Sequence, residues 1–153
     1  MRPWLDPLFE AAEMRAVDGW AIDEAGVPSL DLMERAGVGL ARLTAAVSGP
    51  GPVRVVVGKG NNGGDGLVAA RHLRAEGREV EVLAVAALDE LRGDAHVNLE
   101  RLPGPAPEPF DAARLADSGV IVDSLLGTGF EGSPREPVAS AIAAINAAQA
   151  PAV

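Results

Sequence analysis

Val53-Arg-Val-Val-Val57-Gly58-Lys-Gly-Asn-Asn-Gly-Gly-Asp-Gly66 decides the fold. Val53–Val57 is a short, nearly all-apolar run, as expected of a strand buried on both faces of a parallel sheet. A glycine loop follows, and Leu67–Glu76 then reads as a helix ended by Gly77. Five glycines in the nine residues Gly58–Gly66 allow positive φ and let a ligand approach the backbone closely. Consecutive N–H groups and the following helix N-terminus suit an anion such as phosphate. Asn61 and Asn62 add amide donors and acceptors. Asp65 brings a carboxylate close to the helix start, where negative charge is stabilised.

The loop fails as a Walker A motif, which needs Lys and then Ser or Thr after the last glycine; here Gly66 precedes Leu67. Gly58, Gly60 and Gly63 do satisfy G-x-G-x-x-G after a strand. A dinucleotide fold also wants an acid at the end of its second strand. Glu79 and Glu81 fall at that strand's start and Asp89 comes late, which disfavours a nicotinamide oxidoreductase. A plain turn with Asp65 as helix cap is the simplest structural reading. It leaves two asparagines and most of the glycines unexplained.

Outward from the loop, strands alternate with helices. Leu8–Ala25 and Pro28–Val47 have helical apolar spacing, the first stopped by Gly26 and the second broken at Ser48-Gly-Pro-Gly-Pro. Val80–Ala86 reads as a strand, Leu88–Leu102 as a helix and Pro103–Pro109 as a surface loop. Ala112–Asp117 reads as a short helix, Val120–Val122 as a strand ending at Asp123, and Glu136–Gln149 as the last helix. Pro151-Ala-Val opens another strand. The pattern predicts an α/β fold with a parallel sheet covered on both faces. Ligands bind beyond the carboxyl ends of such strands, where both glycine-rich segments fall.

At 153 residues the chain suits one domain. Its net charge of −9 argues against extended contact with nucleic-acid backbones. There is no cysteine, so disulfides and thiolate zinc sites are excluded. No apolar run approaches the roughly 20 residues that span a bilayer. Asp6, Glu10 and Glu13 make the N-terminus unlike a targeting signal, and a cytoplasmic location is the expectation. Lys59, the sole lysine, reads either as a product of Arg- and Ala-rich composition or as a phosphate attractor. His72 and His96 read as solvated. Trp4, Phe9, Trp20 and Met33 read as packing or dimer contacts, and Arg135 as a surface residue or a phosphate contact.

Val120-Ile-Val-Asp123-Ser-Leu-Leu-Gly127-Thr-Gly129-Phe-Glu-Gly132-Ser133 repeats the arrangement of buried strand, acid and glycine-rich turn. Asp123 reads either as the cap of that turn or, beside Asn62, as part of an oxygen-rich cation site. With Met14-Arg-Ala-Val-Asp18, Leu32-Met-Glu-Arg-Ala-Gly37 and Leu67-Val-Ala-Ala-Arg-His-Leu73, these motifs resemble those of the YjeF N-terminal domain family, the NAD(P)H-hydrate epimerases.

That resemblance implies a Rossmann-like three-layer αβα sandwich, with a mainly parallel sheet and two N-terminal helices, often dimeric. It implies epimerisation of (R)- and (S)-NADHX and NADPHX, the hydrated reduced cofactors, for a fused or separate dehydratase. Carried over by motif, Asn61, Asn62, Gly63, Gly64 and Asp65 would contact substrate, as would Gly127, Thr128, Gly129, Phe130, Glu131, Gly132 and Ser133. Asn62 and Asp123 would help bind potassium (K+). Residues 1–153 would form the epimerase domain up to its last strand or strands, and the family continues into an Asp-x-Pro-Ser-Gly segment.

Expulsion of the hydroxyl by the ring nitrogen would give a planar iminium open to water from either face. Proton transfer then falls to Asp65 or Asp123, or to the Asp of the continuing segment. Asp65 is preferred, since Asp123 would be occupied by the cation. The alternative is a non-catalytic nucleotide- or protein-binding module of the same fold.

Overall fold

The computed structural model describes residues 9–153. Four parallel strands lie in the order β3-β2-β1-β4: β1 Val53–Val57, β2 Val80–Ala84, β3 Glu108–Pro109 and β4 Val120–Ser124. Val53 pairs with Val80 on one side and Val120 on the other. Pro151–Val153 continue the sheet beyond β4, with a parallel bridge from Ala152 to Ile121, as the strand signal there predicts. The sheet grows outward from β1 in one direction and then crosses to its other side for β4. The carboxyl ends of β1 and β4 therefore flank a topological switch point, where an open α/β sheet leaves a crevice.

Alternate side chains divide the core into two layers. Val53, Val55, Val57, Val82 and Val122 pack on α2 (Ser29–Val47), α3 (Asn61–Ala75) and α4 (Gly93–Glu100). Val56, Leu83 and Ile121 pack on α5 (Val138–Ala147) and a 3-10 turn at Ala112–Leu115. The three-layer arrangement is the one expected. The first helix, α1 (Ala11–Asp23), buries no residue.

Arg54 departs from an apolar β1. It is only 8% exposed and lies on the α5 face at the amino end of the sheet. It makes ion pairs with Glu81 at 2.8 Å and Asp117 at 3.1 Å, while its Nε donates to Arg114 O. Arg114 in turn pairs with Glu81 and Glu108, so each buried charge in the cluster lies in an ion pair, although Glu81 Oε2 accepts no hydrogen bond among the described residues.

Several boundaries differ from the sequence reading. α1 begins at Ala11, and Leu8 lies outside the described residues. The region expected as one helix over Leu88–Leu102 is a 3-10 turn at Leu88–Glu90 followed by α4. Leu91 drops into the core between them, and Gly93 at φ +55° turns the chain. The loop Pro103–Pro109 ends in the two-residue β3, held by pairing of Leu83 with Glu108. β2 stops at Ala84, β4 runs on to Ser124, and α5 is trimmed at both ends.

The largest correction concerns the glycine loop. α3 starts at Asn61 rather than Leu67, so six of the nine residues of that loop are helix. None of Gly58, Gly60, Gly63, Gly64 or Gly66 has positive φ. Four of them lie in close packing instead, two against backbone and two against side chains. A Cβ on Gly63 would sit 2.0 Å from Gly58 O, one on Gly58 2.3 Å from Leu125 O, one on Gly64 2.6 Å from Met33 Sδ, and one on Gly66 2.6 Å from Ser124 Oγ. Gly60 meets nothing within 4 Å. We expect Gly63→Ala to destabilise the fold by about 3 kcal/mol or more, because its clash is with backbone, while Gly60→Ala stays within about 0.5 kcal/mol of wild type. Urea titration of both variants measures the contrast.

Candidate functional site

Two loops meet at the switch point. Gly58 donates its N–H to Ser124 O at 2.9 Å, joining the carboxyl ends of β1 and β4. At the second residue of α3, Asn62 donates Nδ2 to Leu126 O at 2.9 Å. Gly127 lies so close that its Cβ would come within 3.2 Å of Asn62 Cβ. Asn62 and the start of the second loop are therefore brought together, as the motifs suggested. Gly129–Ser133 run along the surface beyond this junction. No side-chain hydrogen bond joins them to the glycine loop among the described residues.

Asp123 ends the exposed side of β4, and its Oδ1 accepts the Leu125 N–H at 3.1 Å. One carboxylate oxygen thus serves as the cap of the turn. Its backbone N–H donates to Val153 O at 2.8 Å. Because Asn62 commits its amide nitrogen to Leu126, its oxygen remains an acceptor. A hard cation held here would rest on amide, carbonyl and one carboxylate oxygen, a donor set suited to such ions. No group of three or more His, Cys, Asp or Glu able to hold a metal gathers among the described residues.

Asp65 is not a cap. It is the fifth residue of α3, whose N-cap is Gly60 with no side-chain bond. Its carboxyl is half-buried and has no hydrogen-bond partner among the described residues. Burial, reinforced by the negative charge of Asp18 on α1, pushes it up to about 6. Loss of hydration outweighs the favourable field of the helix start. A carboxyl in that range is populated in both protonation states near neutral pH, the condition for giving and taking a proton.

The sequence reading did not assign Arg15 or Asp18 to the site, although both stand in the quoted segment Met14-Arg-Ala-Val-Asp18. Arg15 Nη1 donates to Thr128 O at 2.9 Å. Their signal was the i, i+3 spacing of two opposite charges on one helix face. Ser124 was also missed. It is wholly buried, and its Oγ has no partner.

Lys59 Nζ pairs with Glu90 at 2.8 Å, both side chains well exposed. His72, expected to be solvated, is half-buried with Nε2 2.7 Å from Glu34 Oε1. That bond and the Arg71 guanidinium outweigh burial and hold the Glu34 carboxyl below its usual range. The cluster ties α2 to α3. His96 is exposed, as expected, 3.5 Å from Glu100. Met33 packs under Gly64, whereas Trp20 is 62% exposed; Trp4 lies outside the described residues. Arg135 is exposed.

The ionisation of Asp65 has a consequence for stability. Below 3.8 the carboxyl is protonated whether folded or not; above about 6 it is ionised in both states, and the folded state bears the full desolvation cost. Stability from this group therefore falls as pH rises through that window. Asp65→Asn is expected to melt higher than wild type at pH about 7.5, with the difference shrinking as pH drops toward about 4.5. Thermal unfolding followed by circular dichroism across that range checks the sign.

Comparison with known proteins places this geometry among relatives. The model of the family described as YjeF-related protein N-terminus matches residues 29–153, from α2 onward. An NAD(P)H-hydrate epimerase of Rhodopirellula baltica is 39% identical, with 98% of this chain and 64% of that protein covered. One from Pirellula staleyi is 41% identical, with coverage of 93% and 67%. A bifunctional NAD(P)H-hydrate repair enzyme Nnr of Salinibacter ruber is 40% identical over 96% of this chain but 31% of its own length. The chain thus spans less than two thirds of the first of these proteins and about a third of the bifunctional one. The crystal structure of the yeast protein ynu0 shares the fold, with a TM-score of 0.77, 23% identity, and coverage of 97% of this chain and 70% of that one.

Proposed function

The chain belongs to the YjeF-related protein N-terminus family, and on that premise we propose that it epimerises (R)- and (S)-NAD(P)HX in nicotinamide nucleotide repair. The observation that carries the reading is Asp65: a half-buried carboxyl at the switch point, without a hydrogen-bond partner among the described residues and pushed up to about 6. A binding module has no use for an acid kept near neutrality by burial, whereas a reaction that first protonates a leaving hydroxyl and then deprotonates an incoming water does.

The reacting carbon carries the hydroxyl and is bonded to the ring nitrogen. As the nitrogen lone pair forms the C=N bond, the C–O bond breaks and Asp65 gives its proton to the departing oxygen, releasing water. The planar cation is stabilised by the carboxylate left behind and by Asp18. Water then adds to the opposite face, its proton returning to Asp65 through solvent, as the C=N electron pair returns to nitrogen. No oxidant is consumed.

Asn61–Asp65 and Gly127–Ser133 would seat the nucleotide between the two loops, with N–H groups at the start of α3 directed at its phosphates. Asn62 and Asp123 would hold K+, whose charge would offset that of the substrate phosphates. Further proposals are a homodimer in the cytoplasm and a dehydratase partner, fused or separate; the existence of a bifunctional repair enzyme among the relatives supports the last.

An R/S mixture of NADPHX treated with an S-specific dehydratase tests the activity. With this chain in potassium buffer, consumption of the R epimer is expected to run well above its spontaneous rate, and Asp65→Asn to slow it roughly a hundredfold or more. No acceleration by the wild-type chain would favour the binding-module reading. Replacing potassium by a bulky organic cation should lower the rate for wild type, and much less for Asp123→Asn. Equal losses in both would remove Asp123 from the cation site.

A further inference from the structure

α1 buries none of its residues, yet one of its side chains holds the second loop, and the charge of another acts on Asp65 of α3. Arg15 Nη1 holds Thr128 O at 2.9 Å, and Asp18, one turn later on the same face, sets its charge against Asp65. The Arg15 bond is the only side-chain hydrogen bond that α1 makes beyond its own first turn among the described residues. Gly127–Pro137 are exposed throughout. Within Gly127–Ser133 the other hydrogen bond among the described residues is Phe130 N–H to Gly127 O at 3.0 Å. A segment so thinly tied must be ordered when a ligand settles on it, and that ordering weakens binding.

We propose that α1 is the third wall of the site and that Arg15 is a positioning residue, fixing the second loop at Thr128 so that it meets the hydrated nucleotide already ordered. The proposal rests on the epimerase reading and deepens it. Arg15 touches the loop rather than the reacting carbon, so its effect should fall on substrate capture. Thr128 lies on the surface, where water replaces the lost donor, so folding should be little affected.

Arg15→Ala and Arg15→Lys test this in two ways. In the coupled NADPHX assay, Arg15→Ala should raise KM about tenfold, the scale of a lost charge-assisted hydrogen bond, with kcat within about twofold and the melting temperature unchanged. Arg15→Lys, which keeps a charged donor, should recover part of the loss. In ligand-free protein, hydrogen exchange at residues 128–133 should quicken in Arg15→Ala and stay as wild type elsewhere in the sheet. Wild-type KM with unchanged exchange would overturn the proposal, and so would parallel loss of kcat and melting temperature. If wild type shows no epimerisation, the functional reading fails by itself. Exchange then decides the hold of Arg15 on the loop: quickening supports it and no change overturns it.

Discussion

The first turn of α3 lies so close to the end of β1 that no side chain fits between them. A Cβ on Gly63 would meet Gly58 O at 2.0 Å, and one on Gly58 would meet Leu125 O at 2.3 Å. Each glycine therefore admits the backbone of a different element: α3 against β1, and the end of β4 against β1. Asn62 can reach Leu126 O only because that approach is allowed. Asp65 is carried into its half-buried position by the same helix. The crevice and its acid thus follow from one constraint on backbone distance.

The order of strands and helices, the two-faced core and the meeting of the two glycine-rich segments were legible in the sequence, because each has a local cause. Buried parallel strands leave runs such as Val53–Val57, and a switch point follows from topology rules. The role of the glycines was not legible. Clustered glycine signals either unusual φ or close approach, and sequence does not say which; here it is close approach between elements. For that reason α3 extends six residues earlier than expected, from Asn61 rather than Leu67, and Asp65 is an inner helical residue rather than a cap. Arg15 and Asp18 could be quoted as part of a motif but not assigned to the site, because Thr128, which Arg15 holds, and Asp65, whose proton Asp18 favours, are distant in sequence. His72 likewise finds Glu34 only once α2 lies on α3.

Charge is distributed unevenly about the sheet. At the carboxyl edge, Asp65 has no partner among the described residues and is pushed toward neutrality by burial. On α2 and α3, away from that acid, Glu34 is gripped by His72 and Arg71 and pulled the other way. Two carboxylates on neighbouring helices thus diverge in character through surroundings alone. One is fixed as an anion that clamps helices; the other keeps a proton within reach of exchange.

Arg54 and Asp123 sit on the same face of the sheet, at opposite ends of paired strands. The Arg54 end is a closed electrostatic lattice with Glu81, Arg114 and Asp117. The Asp123 end lies open to solvent. Ion pairing and solvent exposure are therefore segregated along one strand direction. A change confined to the exposed Asp123 side of the crevice leaves those ion pairs untouched, whereas one at Gly58 or Gly63 strikes the backbone itself.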